Sequence, residues 1–281
     1  MPNLYFILFE IIIYIEFALC LQHAWKHGRG NTLKLLSAGT FGVCLELATI
    51  RQLNVYEYGQ FLAMTADVPL CIGLGWGAII YAVCEFSDAS DLPYWARPVL
   101  DGLMALNVDL AMDTVAIRFG FWDWGRGFEF QFFGVPYGNF WAWFWVVFSF
   151  SAGYRLLAHR TDWIGTWMSP FMALIVGLAG VLGTNAFFVC VIPKEWRGWA
   201  VPLQVAIALA VVLAMRPKLY QRPVASLAFW VPFLFHSYLL IAGLISGVIL
   251  SPPILLAISL AMFAVALALH WPTVQHLVRQ D

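Results

Sequence analysis

Charge is scarce in this chain of 281 residues, of which 11% are Asp, Glu, Lys or Arg and 62% are hydrophobic. A soluble domain carries about 25% charged residues, so an ordinary water-soluble fold is excluded. The net charge is −1 and no basic cluster exists, which excludes nucleic acid as a partner. The five cysteines (Cys20, Cys44, Cys71, Cys84, Cys190) form no CxxC pair. They read as small packing residues rather than a disulfide or metal framework. Lys26, Lys34, Lys194 and Lys218 all fall in or beside loops, so a retinal Schiff base has no amine to form on. His236 is the only histidine well inside an apolar run; a haem-bearing bundle needs a pair, and a lone histidine reads as packed and hydrogen-bonded. There is no internal repeat and no low-complexity segment, and the polar residues crowd into the first half, unlike a transporter built from two similar halves. No basic stretch precedes the first apolar run, which Glu10 and Glu16 interrupt, so that run does not read as a cleavable signal.

What the chain has is apolar length. Runs near the roughly 20 residues that span a bilayer occur at Leu4–Ala24, Leu35–Leu53, Val68–Phe86, Pro98–Ile117, Asn139–Ala158, Met168–Ile192, Val201–Met215, Val224–Leu250 and Pro253–His270. They predict an all-α integral membrane protein of about nine transmembrane helices in a single polytopic domain spanning 1–281, with a tight break at Ser251-Pro252-Pro253. With alternate loops on alternate sides, one side carries Lys26, Arg29, Lys34, Arg97, Arg155, Arg160, Arg216, Lys218, Arg222 and Arg279. The other carries Arg51, Arg118, Arg126, Lys194 and Arg197. The positive-inside rule then sets the C-terminus in the cytoplasm and the N-terminus outside.

Two stretches do not fit lipid-soluble packing: Glu46 to Trp76, and Asp101 to Trp145. An ionisable group at membrane depth is costly and tends to mark a site, with its partner nearby. In the expected topology Glu10, Glu46, Arg51, Glu57, Asp67, Asp109, Asp113, Arg118 and Asp123 all fall in the outer half. On a helix, Asp109 and Asp113 lie about 40° apart and one turn from each other. Two carboxyls that close in a low dielectric are expected to share a proton, which supplies a Brønsted acid. The structural reading is that Asp109 pairs with Arg118 or Arg51 and ties helices together.

Aromatic residues crowd the same region, from Phe121 and Trp122 through Trp124, Phe133, Tyr137 and Trp141 to Trp145. An interfacial belt accounts for part of them. A wall around a long apolar ligand or a short-lived carbocation accounts for the rest, since ring faces attract cations. Gly134-Val135-Pro136 predicts a turn before the fifth run, with Asn139 placed to cap it.

The segments Asn54-Val55-Tyr56-Glu57-Tyr58-Gly59, Asp67-Val68-Pro69-Leu70 and Asp113-Thr114-Val115-Ala116-Ile117-Arg118-Phe119-Gly120-Phe121-Trp122-Asp123-Trp124 together resemble the membrane hydratases of carotenoid biosynthesis. Phe133-Gly134-Val135-Pro136-Tyr137-Gly138-Asn139-Phe140-Trp141-Ala142-Trp143 is similar to that family's next block. The resemblance covers roughly residues 40–145. Thr114 stands where a proline usually follows the aspartate, and Ala142 where a glycine usually precedes the tryptophan. These enzymes, among them the bisanhydrobacterioruberin hydratases, add water across the terminal double bond of an acyclic carotenoid.

The resemblance implies an acyclic carotenoid or other long isoprenoid as substrate and membrane lipid as surroundings, in the cytoplasmic membrane of a bacterium or archaeon. It leaves room for association with other carotenoid enzymes or a pigment–protein complex. The chemistry needs a proton donor, a tertiary cation, a water and a base, and no cofactor or metal. On this reading Asp113 delivers the proton and Asp109 shares it. Glu46 or Asp67 orients the water, and Arg118 and Arg51 hold the carboxylates. Trp122, Trp124 and Tyr137 line the cation, with Tyr56, Glu57 and Asn139 binding substrate.

Two other classes compete. Asn107-x-Asp109-x3-Asp113 resembles one aspartate-rich motif of the magnesium-dependent intramembrane prenyltransferases, but Asn107 lies about 120° or more around the helix from both aspartates. A non-catalytic carotenoid- or lipid-binding subunit of a membrane complex would also use the aromatic content. Asn185, with Gly177, Gly180 and Gly183, reads as close helix packing. The half from 146 onward reads as scaffold, or as the wall of a groove for a polyene tail.

Overall fold

A computed structural model describes residues 3–51 and 55–278, so the predicted helix end at Leu53, the motif residue Asn54 and the charge of Arg279 lie outside the described residues. Helices dominate: α1 (Leu4–Lys26), α2 (Arg29–Arg51), α3 (Leu70–Asp88), α4 (Arg97–Phe119), α5 (Tyr137–Ala158), α6 (Trp163–Cys190), α7 (Arg197–Ala214), α8 (Leu227–Ser246), α9 (Ile254–Leu269) and α10 (Trp271–Val278). Among the described residues, six segments are long and apolar enough to cross a membrane: α1, α2, α3, α6, Lys194–Ala214 and α8. By length and apolarity six of the nine predicted spans are found among the described residues, and the full count of nine is not confirmed. Helix α4 carries Asp101, Asp109 and Asp113, α5 is rich in Trp, Tyr and Ser, and α9 has only 16 residues.

The ends follow from local chemistry. The Asn3 side chain accepts from the backbone N–H of Tyr5 and Phe6 to start α1, and Asp162 accepts from Gly165 N to start α6. Each such cap contributes about 1 kcal/mol. Helix α4 stops at Gly120, whose φ of 74° lies in the left-handed region. The eighth predicted run, which extends to Leu250, instead ends at Ser246, because Gly247 is left-handed and a 3₁₀ turn follows over Val248–Leu250. Helix α10 was not expected, since the sequence pattern ends at His270.

Helix α5 packs along α6 and α4, α2 along α3, and α1 and α8 flank α3. The C-terminal ends of α2 and α4 meet the N-terminal ends of α3 and α5 at one end of the bundle. Two short ribbons cover this end: β1 (Glu57–Tyr58) pairs with β4 (Trp122–Asp123), and β2 (Met64–Thr65) pairs with β3 (Val68–Pro69). Gly59 donates its N–H to Phe121 O at 3.0 Å, and a Cβ there would collide with the Gly120 carbonyl and the Phe6 ring. Glu10 anchors this cover from below: it is fully buried and accepts from the backbone N–H of Leu62 (2.8 Å) and Ala63 (3.0 Å).

The opposite end holds a second charge network. Arg155 of α5 reaches Asp101 of α4 at 2.9 Å and Asp88 of α3 at 2.9 Å, and Arg97 joins Asp88 at 3.0 Å. Lys34 pairs with Glu85 at 2.8 Å. The helix-tying role considered for Asp109 therefore belongs to Asp101, whose partner is Arg155 rather than Arg118 or Arg51.

Candidate active site

Asp109 and Asp113 share one buried face of α4 and point at the first turn of α5. There the Asn139 side-chain nitrogen donates to both Asp109 oxygens at 3.2 Å and to Asp113 Oδ2. One amide thus bridges two carboxyls. Asn139 does not cap α5 as expected: Pro136 occupies the cap, and the free N–H of Tyr137 donates to Gln131 Oε1 at 2.6 Å. Relieved of capping, the amide is available to the aspartates.

Glu46 enters from α2 and is almost completely buried. It accepts from Trp76 Nε1 at 2.7 Å, from Tyr58 OH at 2.8 Å and from Tyr56 OH. Three donors on one carboxylate offset the cost of holding it away from water. Tyr56 and Tyr58 are half-buried as residues, with their hydroxyls turned inward onto Glu46. Enclosure first, and the adjacent Glu46 charge second, hold both phenols well above their ordinary pKa, so they stay protonated and donate.

Between these two centres lies a small cavity of about 50 Å³. Glu46, Asp113 and Asn139 supply its polar wall, and Tyr56, Tyr58, Trp76, Trp122, Trp124 and Trp143 supply rings; Phe9, Ile13 and Phe235 close its depth. Trp76 and Trp143 lie 4.2 Å apart between ring centroids, and Tyr56 and Trp124 lie 4.6 Å apart. A second space of about 320 Å³ shares Glu46, Tyr56, Trp76, Trp124, Asn139 and Trp143, and runs out past Ala142 and Val146 to Val181, Asn185 and Phe188 of α6. The polar centre therefore sits where a narrow aromatic chamber meets a wider apolar groove. Trp124 borders both spaces, and its indole N–H is buried without a partner among the described residues.

Of the residues the sequence singles out, Asp113, Glu46, Asn139, Tyr56, Trp122 and Trp124 meet at this chamber. Asp109 lies directly behind it, fully buried against Asn139. The rest lie elsewhere. Arg51 and Asp67 form a 2.8 Å pair on the surface, with side chains 56% and 57% exposed. Arg118 donates to the backbone carbonyls of Thr114 (2.6 Å) and Phe133 (3.1 Å) and stacks on Phe128, so it braces a turn rather than the carboxylates. Glu57 is exposed and enters only the backbone pairing with Asp123. The Tyr137 ring packs beside Gly198.

Sequence reading missed Tyr58, Trp76 and Trp143, each indistinguishable from a belt aromatic without the fold. It also missed Asn185, which borders the groove instead of packing helices. Gly177 and Gly180 do pack closely, against Phe41 and Ser149. Asn107 faces the other way: its amide donates to Met262 O at 3.0 Å, and its carbonyl meets His236 Nε2 at 3.0 Å. It does not join the aspartates, and His236 is the hydrogen-bonded core histidine expected.

A family model described as carotenoid biosynthesis protein matches residues 3–215. No curated protein and no solved structure matches the chain.

Proposed function

The chain belongs to the carotenoid biosynthesis protein family, and from that premise we propose that it hydrates the terminal double bond of an acyclic carotenoid by acid catalysis. The observation that carries this reading is that Asp113 and Glu46 border one ring-lined chamber from two different helices. A donor and an acceptor of protons thus flank a space suited to a greasy alkene.

The polyene lies in the apolar groove with its end in the chamber. Asp113 gives its proton to the terminal alkene; the π pair forms the new C–H bond and leaves a tertiary cation. Trp76, Trp143, Trp122 and Trp124 present ring density to that cation. A water oxygen bonds to the cationic carbon, and its surplus proton passes to Glu46, whose three donors hold it in place. Return of that proton to the aspartate pair closes the cycle, with one water added and no net proton consumed. Asp109 and Asn139 serve as positioning residues: they hold the Asp113 carboxyl and share its proton. Glu46 and Trp124 both border the space this water would occupy.

The chamber belongs to the end of the bundle that the Lys/Arg balance assigns to the outside, so water enters from the non-cytoplasmic face. The test is expression in a bacterial host that makes acyclic carotenoids, followed by mass spectrometry of the pigments. A gain of one or two waters, lost in Asp113→Asn, is expected. Unchanged pigment that co-purifies with the protein would overturn the reading in favour of a binding subunit.

A further inference from the structure

Three spaces meet at Trp124. It lines the aromatic chamber, it lines the apolar groove, and it lines a third pocket of about 220 Å³ nearer the end of the bundle. Of the residues that line this outer pocket, Trp124 alone also lines the chamber.

The outer pocket differs in chemistry from the groove. Leu45, Val146, Val181 and Phe188 make much of the groove wall. Asp123, Arg126 and the bare peptide groups of Gly120 and Gly127 make much of the outer pocket. All four of these residues are exposed, so the pocket opens onto the outside of the protein. Ile117 is buried at its inner end. That residue follows Asp113 by one turn on the same face of α4, about 6 Å further along the helix. The pocket therefore lies one helical turn outward from the proton donor, with Trp124 as the wall it shares with the chamber.

Volume and polarity decide what each space can carry. A water needs about 10–15 Å³ of cavity, so a chamber of about 50 Å³ holds no reserve of water beside an alkene end. The groove cannot replenish it during turnover, because the polyene fills the groove. The outer pocket is several times larger than the chamber, polar, and clear of the polyene's path. We propose that the outer pocket is the port through which the co-substrate water reaches the chamber, and that Trp124 is the partition that admits it. Use of that water in catalysis rests on the function proposed above; the port itself does not.

The local structure suits a partition. Trp122 is fixed in the ribbon, in register with Tyr58. Trp124 lies one residue beyond the paired stretch and is followed by Gly125, whose φ of 62° is left-handed and whose N–H donates to Asp123 Oδ1 at 2.9 Å. The Trp124 ring packs edgewise on Tyr56, 4.6 Å between centroids, and the Tyr56 hydroxyl donates to Glu46. The side chain that keeps bulk water from a reactive cation thus leans on a donor to the very group that takes the proton from the admitted water.

Hydroxyl-radical labelling of the full chain in detergent tests the port directly. Met112, which lines the chamber and is 4% exposed, reports water there, and the exposed Met64 serves as internal reference. Gly127 lines the port, and a Cβ there meets nothing within 4 Å, so Gly127→Leu has room to narrow it. Ile117→Phe narrows it from α4. Each should cut Met112 labelling severalfold, and Trp124→Ala should raise it severalfold, with Met64 unchanged. In turnover of an acyclic carotenoid, Gly127→Leu should lower kcat severalfold and leave KM for the carotenoid unchanged, because the groove is untouched. If one narrowing variant fails to run as a single species, the other decides. Met112 labelling that none of the three variants changes overturns the port, even if hydration proceeds. So does a Met112 that takes up no label in wild type or in Trp124→Ala. The expected labelling in a protein that adds no water would keep the port and overturn the hydratase reading alone.

Discussion

The indole nitrogen of Trp76 donates to Oε1 of Glu46 across 2.7 Å, joining α3 to α2 at the wall of the chamber. The bond depends on close approach of the two helices. A Cβ at Gly42 would lie 2.6 Å from the Cβ of Trp76 and 2.9 Å from the Gly73 carbonyl.

Gly42→Leu should therefore push Trp76 off Glu46. Overpacking of this kind costs about 1–3 kcal/mol, and pigment hydration should fall more than thermal stability explains. Trp76→Phe separates the two effects: it keeps a ring and removes the donor, so hydration should drop about tenfold or more with little change in melting temperature. Full activity in Trp76→Phe would show that Glu46 needs no help from the indole.

The Arg51–Asp67 pair should be dispensable. Both side chains are more than half exposed, and exposed pairs contribute about 0–1 kcal/mol. Arg51→Gln and Asp67→Asn should each leave hydration within about twofold. A large loss in Asp67→Asn would return that carboxylate to the role the sequence allowed it.

The contrast between Asp67 and Glu46 shows what sequence could and could not yield. Helical spacing identified the Asp109–Asp113 face, because one turn of α4 is a local property. Apolar run length identified most helices to within a few residues, because burial in lipid is a property of the run. Which carboxylate faced the chamber was not local: Glu46 and Asp67 differ in the company supplied by Tyr56 and Tyr58, which depend on how β1 pairs with β4, and by Trp76, which depends on how closely α3 approaches α2. Asn139 was misassigned for a similar reason. Its position before an apolar run reads as a cap, and only the Gln131 side chain, arriving from the preceding loop, explains why the cap was not needed.

Removal of Arg155 should be among the most damaging single changes. Its side chain is 5% exposed, and it pairs with Oδ2 of the fully buried Asp101. Breaking such a pair costs about 3–5 kcal/mol, whereas replacing both members with apolar residues is often neutral. Arg155→Met should lower the unfolding midpoint sharply, and Arg155→Met with Asp101→Leu should recover much of it. Equal destabilisation by single and double variants would show that Asp88 and Ser151 matter more than the pair.

Alkaline titration probes the cover of the chamber. A free phenol ionises near pH 10, while Tyr56 and Tyr58 are held well above that. A folded-state pKa raised above the unfolded one contributes stability below about pH 10 and loses it as pH rises further. Phenolate absorbance at about pH 11 should therefore be the same in wild type and in Tyr56→Phe, and stability should decline from about pH 10 upward. A phenolate signal that disappears in Tyr56→Phe would place this hydroxyl in contact with solvent.

All three aspartates of α4 find their partners on α5: Asp101 on Arg155 and Ser151, and Asp109 and Asp113 on Asn139. Alone, α4 would carry three unmatched acidic groups into the bilayer, each costing about 2.5–3.5 kcal/mol at mid-depth on insertion scales. We therefore expect the two to insert as a hairpin. A nascent chain halted after Phe119 should leave α4 waiting at the membrane surface or in the translocation machinery, and synthesis through Ala158 should release both together. The residues proposed to perform the chemistry are in this sense also the ones that set when the middle of the protein enters the membrane.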